Sequence, residues 1–215
     1  MTTVQVPASS TARAAAVRRS RLLNRLTLGW NLVEGVIALI AGAAAGSVSL
    51  VGFGLDSGIE VSAGLVLAWR LGKERHGGCM AEIDRRATRL VAISFAALAV
   101  YVAFESGRDL LTDSRPAASP VGMALAAASL VLMPLAARAK RRLGPVLGSR
   151  AAVSEANQTS LCALLSAVLL VGLGLNAALD WWWADPLAGL AIAAVAGAEA
   201  LRTWRAEALE DTCCP

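Results

Sequence analysis

Six stretches of about 20 residues, each apolar enough to cross a lipid bilayer, occupy most of this chain. They run over Leu26 to Ala45, Leu50 to Trp69, Thr88 to Gly107, Pro120 to Ala139, Val153 to Leu175 and Trp182 to Leu201. Inside lipid a segment must satisfy its own backbone N–H and C=O groups, so single stretches of this length predict helices. Of 215 residues 56% are apolar and 17% charged, which leaves little for a soluble domain. The expected fold is all-α, a polytopic membrane protein of six transmembrane helices whose core is the bundle itself. The expected organisation is a disordered basic tail over 1–20, a six-helix domain over 21–205 and a short tail over 206–215. The first stretch is expected to stay in the membrane rather than be cleaved, because a long basic segment precedes it and Asn31 and Glu34 interrupt it.

Basic residues set the orientation. Eighteen of the twenty Lys and Arg residues lie before the first stretch, around the connection between the second and third, around that between the fourth and fifth, or after the sixth. Only Arg108 and Arg115 lie on the other side, beside Asp109 and Asp113. Both termini are therefore expected in the cytoplasm, in a multi-pass protein of the plasma (inner) membrane. This asymmetry and anionic headgroups account for the formal charge of +4. No basic surface interleaved with aromatic residues points to nucleic acid, and none is expected as a partner. Trp181, Trp182 and Trp183 open the sixth stretch at the outer interface, where amphipathic rings are favoured.

The second stretch carries Asp56 and Glu60. An Asp at mid-membrane costs about 2.5 to 3.5 kcal/mol, so such acids face a bundle interior or a water-filled path. Four residues apart, the two lie within about 40° on one helix face. Gly54 and Gly58 lie about 160° from Asp56, and small residues at that spacing predict close helix packing there. On the fifth stretch Glu155, Gln158, Cys162, Ser166 and Asn176 share a stripe about 80° wide. If the two polar faces meet, two carboxylates, a thiol and an amide oxygen converge near the bilayer midplane. Four donors from two i, i+4 pairs can surround a small divalent cation. Carboxylates alone suit harder ions, whereas Cys162 shifts the preference toward Zn²⁺ or Cd²⁺. The ligands must lose protons to bind, so exchange of metal for protons is chemically available.

Each group also has a plainer reading. Asp56 and Glu60 can serve helix–helix hydrogen bonding, Cys162 can be a packing residue, and Gln158 can orient a ligand rather than be one. Glu155 is either a solvated acid near the inner mouth or an entry residue. Asn24, Thr27, Asn31 and Glu34 form a polar stripe on the first helix, read as a path lining or as a packing seam. Cys79, Cys213 and Cys214 lie on the predicted cytoplasmic side, so no disulfide framework is expected. His76 with Cys79 could bind metal, but a solvated loop is the simpler reading. There is no nucleophile elbow or phosphate-cradling Gly motif and only one His, so no enzyme is expected.

Gly46, Ser47, Val48 and Ser49, followed by Asp56, Ser57 and Glu60, resemble the first-to-second helix region of the cation diffusion facilitators. Glu155 through Gln158 and Cys162, then Trp183, Ala184, Asp185 and Pro186, are similar to that family's fifth helix and the start of its sixth. The resemblance spans about residues 21 to 210. It implies a six-helix fold, a homodimer, and export of Zn²⁺ or a similar divalent cation in exchange for protons, with the metal as cargo and no resident cofactor. It places metal on Asp56, Glu60, Cys162 and Gln158, where family members usually carry His in place of Gln158 and Asp in place of Cys162. Eleven residues follow Trp204, so the expected form is a short one without the family's cytoplasmic C-terminal domain. The alternative is a non-transporting membrane metal sensor or partner subunit that kept the fold while its ligand set degraded.

Overall fold

A computed structural model describes the backbone over 10–73, 81–147 and 150–208, and the side chains over 18–65, 89–143 and 157–205. Among these residues the chain forms six α-helices and no strand: α1 (Ser10–Ala45), α2 (Val48–Lys73), α3 (Ala81–Thr112), α4 (Pro120–Leu147), α5 (Arg150–Leu179) and α6 (Ala184–Ala208). Each contains a span long and apolar enough to cross a membrane, so the chain is a multi-pass membrane protein. The helices outrun the apolar stretches. Helix α1 begins at Ser10, inside the segment from which the sequence predicts a disordered tail, because TARAAAVRR is rich in the strongest helix formers. The Trp181–Trp183 run precedes α6 rather than opening it, with the rings of Trp181 and Trp183 stacked 4.9 Å apart.

The connections at the end opposite the chain termini are short and built by local chemistry. Gly46 takes a left-handed conformation (φ 66°), and the Ser47 amide donates to Gly42 O at 3.0 Å, closing α1. Ser47 then caps α2, its Oγ accepting from the Leu50 amide at 3.2 Å. The α3–α4 connection repeats the device. Asp113 takes the left-handed position, the Ser114 amide donates to Asp109 O, and Ser119 Oγ caps α4 behind Pro120.

Helix α3 packs mainly on α6, α4 on α5 and α1 on α2, while α2 also touches α3, α5 and α6. Helix α2 is central: 56% of its span is buried, against 28% for α1, α3 and α4. Phe53, Leu165, Leu169 and Ile192 belong to its core, whereas Ile40, Val100, Phe104 and Val171 face outward. Such an apolar exterior suits lipid. The close α1–α2 approach uses Gly35 and Gly42 on α1 and Gly54 on α2. A Cβ on Gly54 would meet Leu39 Cγ at 2.9 Å, and one on Gly42 would meet Val51 at 2.8 Å. A Cβ on Gly58 would meet nothing within 4 Å, so of these two α2 glycines it is Gly54 that the close approach to α1 requires.

Candidate metal site at the centre of the bundle

Asp56 and Glu60 sit one turn apart on α2, 2% and 9% exposed, and face α5. Cys162, fully buried, meets them there: one donor atom each from Asp56, Glu60 and Cys162 lies within 4.8 Å of the others. Helical spacing puts both carboxylates on one face, and the direct α2–α5 contact brings the sulfur to it. The structure thus brings these three side chains together.

Asn31 and Glu34, which the sequence reads as path or seam, reach into the same region from α1. Asn31 Nδ2 donates to Glu60 Oε2 at 2.6 Å. Glu34 is fully buried and accepts hydrogen bonds from Ser57 Oγ (3.2 Å), from Ser129 Oγ of α4 and, weakly, from Cys162 Sγ (3.9 Å). Trp30 Nε1 donates to Ser129 Oγ at 2.9 Å, so the serine relays between two α1 side chains. Four helices thus converge on three carboxyl groups and one thiol. Gln158, one turn earlier on α5, is half-buried beside Thr159. Glu155 lies on α5, with its side chain outside the described residues, as are His76, Cys79, Cys213 and Cys214.

Two acceptors at the cluster have no hydrogen-bond partner among the described residues: Asp56 Oδ2 and Asn31 Oδ1. Buried polar atoms are normally paired, and an unpaired one costs about 1 to 3 kcal/mol, so these oxygens mark a place where something positive or donating belongs. Three carboxyl groups in a low-dielectric interior can ionise together only where something positive compensates them. A cation bound by Asp56, Glu60 and Cys162 meets both demands.

Two buried features escape the sequence reading. Lys140, counted there with the basic residues of a connection, is 7% exposed, and its Nζ donates to Thr27 Oγ1 (2.9 Å) and Thr159 Oγ1 (3.0 Å). A run such as Arg138, Lys140, Arg141 and Arg142 on a helix must turn some member inward, but nothing in the run says which. At the other end of the bundle Asp185 is fully buried and accepts hydrogen bonds from Ser47 Oγ (2.7 Å) and Ser49 Oγ. The Gly46–Ser49 and Trp183–Pro186 segments therefore meet in space.

No family model matches the chain, and no curated protein matches it.

Proposed function

We propose that the protein carries a divalent transition-metal cation across its membrane, with Zn²⁺ the best fit and Cd²⁺ next, and that Asp56, Glu60 and Cys162 hold the ion in transit. The observation that carries this reading is the meeting of two carboxylates and a thiol, with donor atoms within 4.8 Å, inside a bundle of membrane-length helices. Carboxylate oxygen with thiolate sulfur suits a borderline-soft ion and disfavours Mg²⁺ or Ca²⁺. Asn31 fixes one Glu60 oxygen, as an outer hydrogen bond commonly orients a metal ligand, and its own Oδ1 supports a fourth donor. Gln158 remains a further donor from the α5 face.

Loading the ion displaces the Cys162 proton and any proton on the carboxyls, which supports exchange of metal for protons. The distribution of Lys and Arg supports cytoplasmic termini, and export as the direction is what the family resemblance implies. A plasma-membrane location belongs to this reading, and a homodimer is what the family resemblance implies. Alternating access then consists of rocking helices around a site near the midplane. Purified protein in sealed proteoliposomes with a trapped Zn²⁺ dye tests the reading: flux in the unaltered protein and none in Asp56→Ala supports it. Equal flux in the two would reject it, and metal binding without flux would favour the sensor alternative.

A further inference from the structure

Glu34 is fully buried, and its two oxygens are held in different ways. Oε1 accepts from Ser129 Oγ of α4; that serine itself accepts from Trp30 Nε1 at 2.9 Å, which leaves its own proton for Glu34. Oε2 accepts from Ser57 Oγ at 3.2 Å, but the single Ser57 proton has a second acceptor at the same 3.2 Å, the Phe53 carbonyl of its own helix. Ser57 can therefore release Oε2 and keep its proton bonded, as a helical serine commonly does. Glu34 thus has one oxygen fixed and one exchangeable. The exchangeable oxygen faces the sulfur. Glu34 Oε2 and Cys162 Sγ stand 3.9 Å apart, at the long end for a hydrogen bond to sulfur. The separation is close to one edge of a metal tetrahedron, since bonds of about 2.0 Å to oxygen and about 2.3 Å to sulfur put the two atoms about 3.5 Å apart. Helix α1 comes this near because Gly35 has no side chain: a Cβ there would meet Gly54 O at 3.2 Å and Ser57 Cβ at 3.3 Å. The pairing of α1 with α2 then sets Asn31 against Glu60 and, one turn on, Glu34 against Ser57.

We infer that Glu34 Oε2 is the fourth ligand of the ion held by Asp56, Glu60 and Cys162, so that α1, α2 and α5 close the site together. This rests on the metal site proposed above and adds to it a side chain from a third helix. A sulfur bound to metal no longer offers a proton to Oε2, and Ser57 has the Phe53 carbonyl to turn to, so one bond to the ion replaces both contacts that Oε2 gives up. Zn²⁺ takes Cys, His, Asp and Glu side chains, commonly four of them, and Glu34 is such a side chain already touching Cys162. Asn31 and Gln158 offer amide oxygens, which carry no charge. Ser129 then orients Glu34 from outside the site, as Asn31 orients Glu60.

Zn²⁺ affinity of the purified full chain, measured by chelator competition, tests the assignment. Glu34→Gln keeps the shape of the side chain and should weaken Zn²⁺ binding by more than about a hundredfold, beyond what an outer orienting group is worth. Ser129→Ala, which frees only Oε1, should cost about tenfold. Parent-like affinity in Glu34→Gln, with binding lost in Asp56→Ala, would overturn Glu34 as a ligand and leave the three-residue site standing. A loss in Glu34→Gln no larger than that in Ser129→Ala would overturn it as well, since Glu34 would then act only from outside. A parent that binds no Zn²⁺ would overturn the site and this inference together. Should Glu34→Gln fail to fold, crystals of the parent soaked with Cd²⁺ decide. Glu34 Oε2 within bonding distance of the anomalous peak is the expected result; a peak bonded to Asp56, Glu60 and Cys162 with Oε2 still on Ser57 would overturn the assignment.

Discussion

Two buried carboxylate clusters stand at different depths of the same bundle, and they are built differently. At the α1–α2 turn, Asp185 is a single acid served by two hydroxyls, Ser47 and Ser49, that also belong to the turn and the first residues of α2. Its donors are fixed by the local fold, so it reads as a latch between α6 and the turn. At the centre, Asp56, Glu60 and Glu34 come from two helices, and their neighbours from α4 and α5 include a thiol. Three carboxyl groups share that centre, and Asp56 Oδ2 there, like Asp185 Oδ2 at the turn, has no hydrogen-bond partner among the described residues, so the two places differ in how many acids meet and from how many helices. One acid with donors supplied by its own turn is architecture; several acids converging from separate helices suit a site that binds and releases a cation.

The comparison breaks if the two clusters respond alike to substitution. The largest effect is expected at Asp56→Ala, which should abolish Zn²⁺ binding in titrations of purified protein. Asp185→Ala should instead leave Zn²⁺ affinity within about twofold while lowering the melting temperature, because two seryl hydroxyls lose their acceptor at about 1 to 3 kcal/mol. Loss of Zn²⁺ binding in Asp185→Ala would erase the distinction. Asn31→Ala should weaken Zn²⁺ binding by about tenfold, the size typical when a ligand loses its orienting hydrogen bond. Cys162→Ser sharpens the picture by chemistry rather than strength: Cd²⁺ affinity should fall further than Zn²⁺ affinity, since removing sulfur costs the softer ion more. The smallest change is Gly46→Ala, which puts a Cβ in a left-handed position (φ 66°) and should cost about 1 to 2 kcal/mol of stability with metal binding unaltered.

How much of this was legible in the sequence differs by residue. The helices could be read because a bilayer demands a minimum apolar length, and Asp56 with Glu60 because i, i+4 spacing fixes a shared face. Cys162 followed once α2 and α5 were taken to touch, which sequence alone does not establish. Asn31 and Glu34 were visible as a stripe, but whether a stripe faces a site or a seam depends on which helices pack together. Ser129 gave no signal, since a membrane serine commonly bonds a carbonyl of its own helix. Lys140 was hidden because the apolar stretch ends at Ala139 while α4 continues to Leu147, so a residue that reads as part of a connection is held inside the bundle. The face read from Gly54 and Gly58 does pack on α1, but a Cβ would clash only at Gly54 and not at Gly58, a difference that regular spacing does not carry.

The most direct test of the central claim is anomalous diffraction from crystals of the full chain soaked with Cd²⁺ or Zn²⁺. The account predicts a single strong peak within bonding distance of Asp56, Glu60 and the Cys162 sulfur. A peak at Asp185, or none at the three central residues, would contradict it.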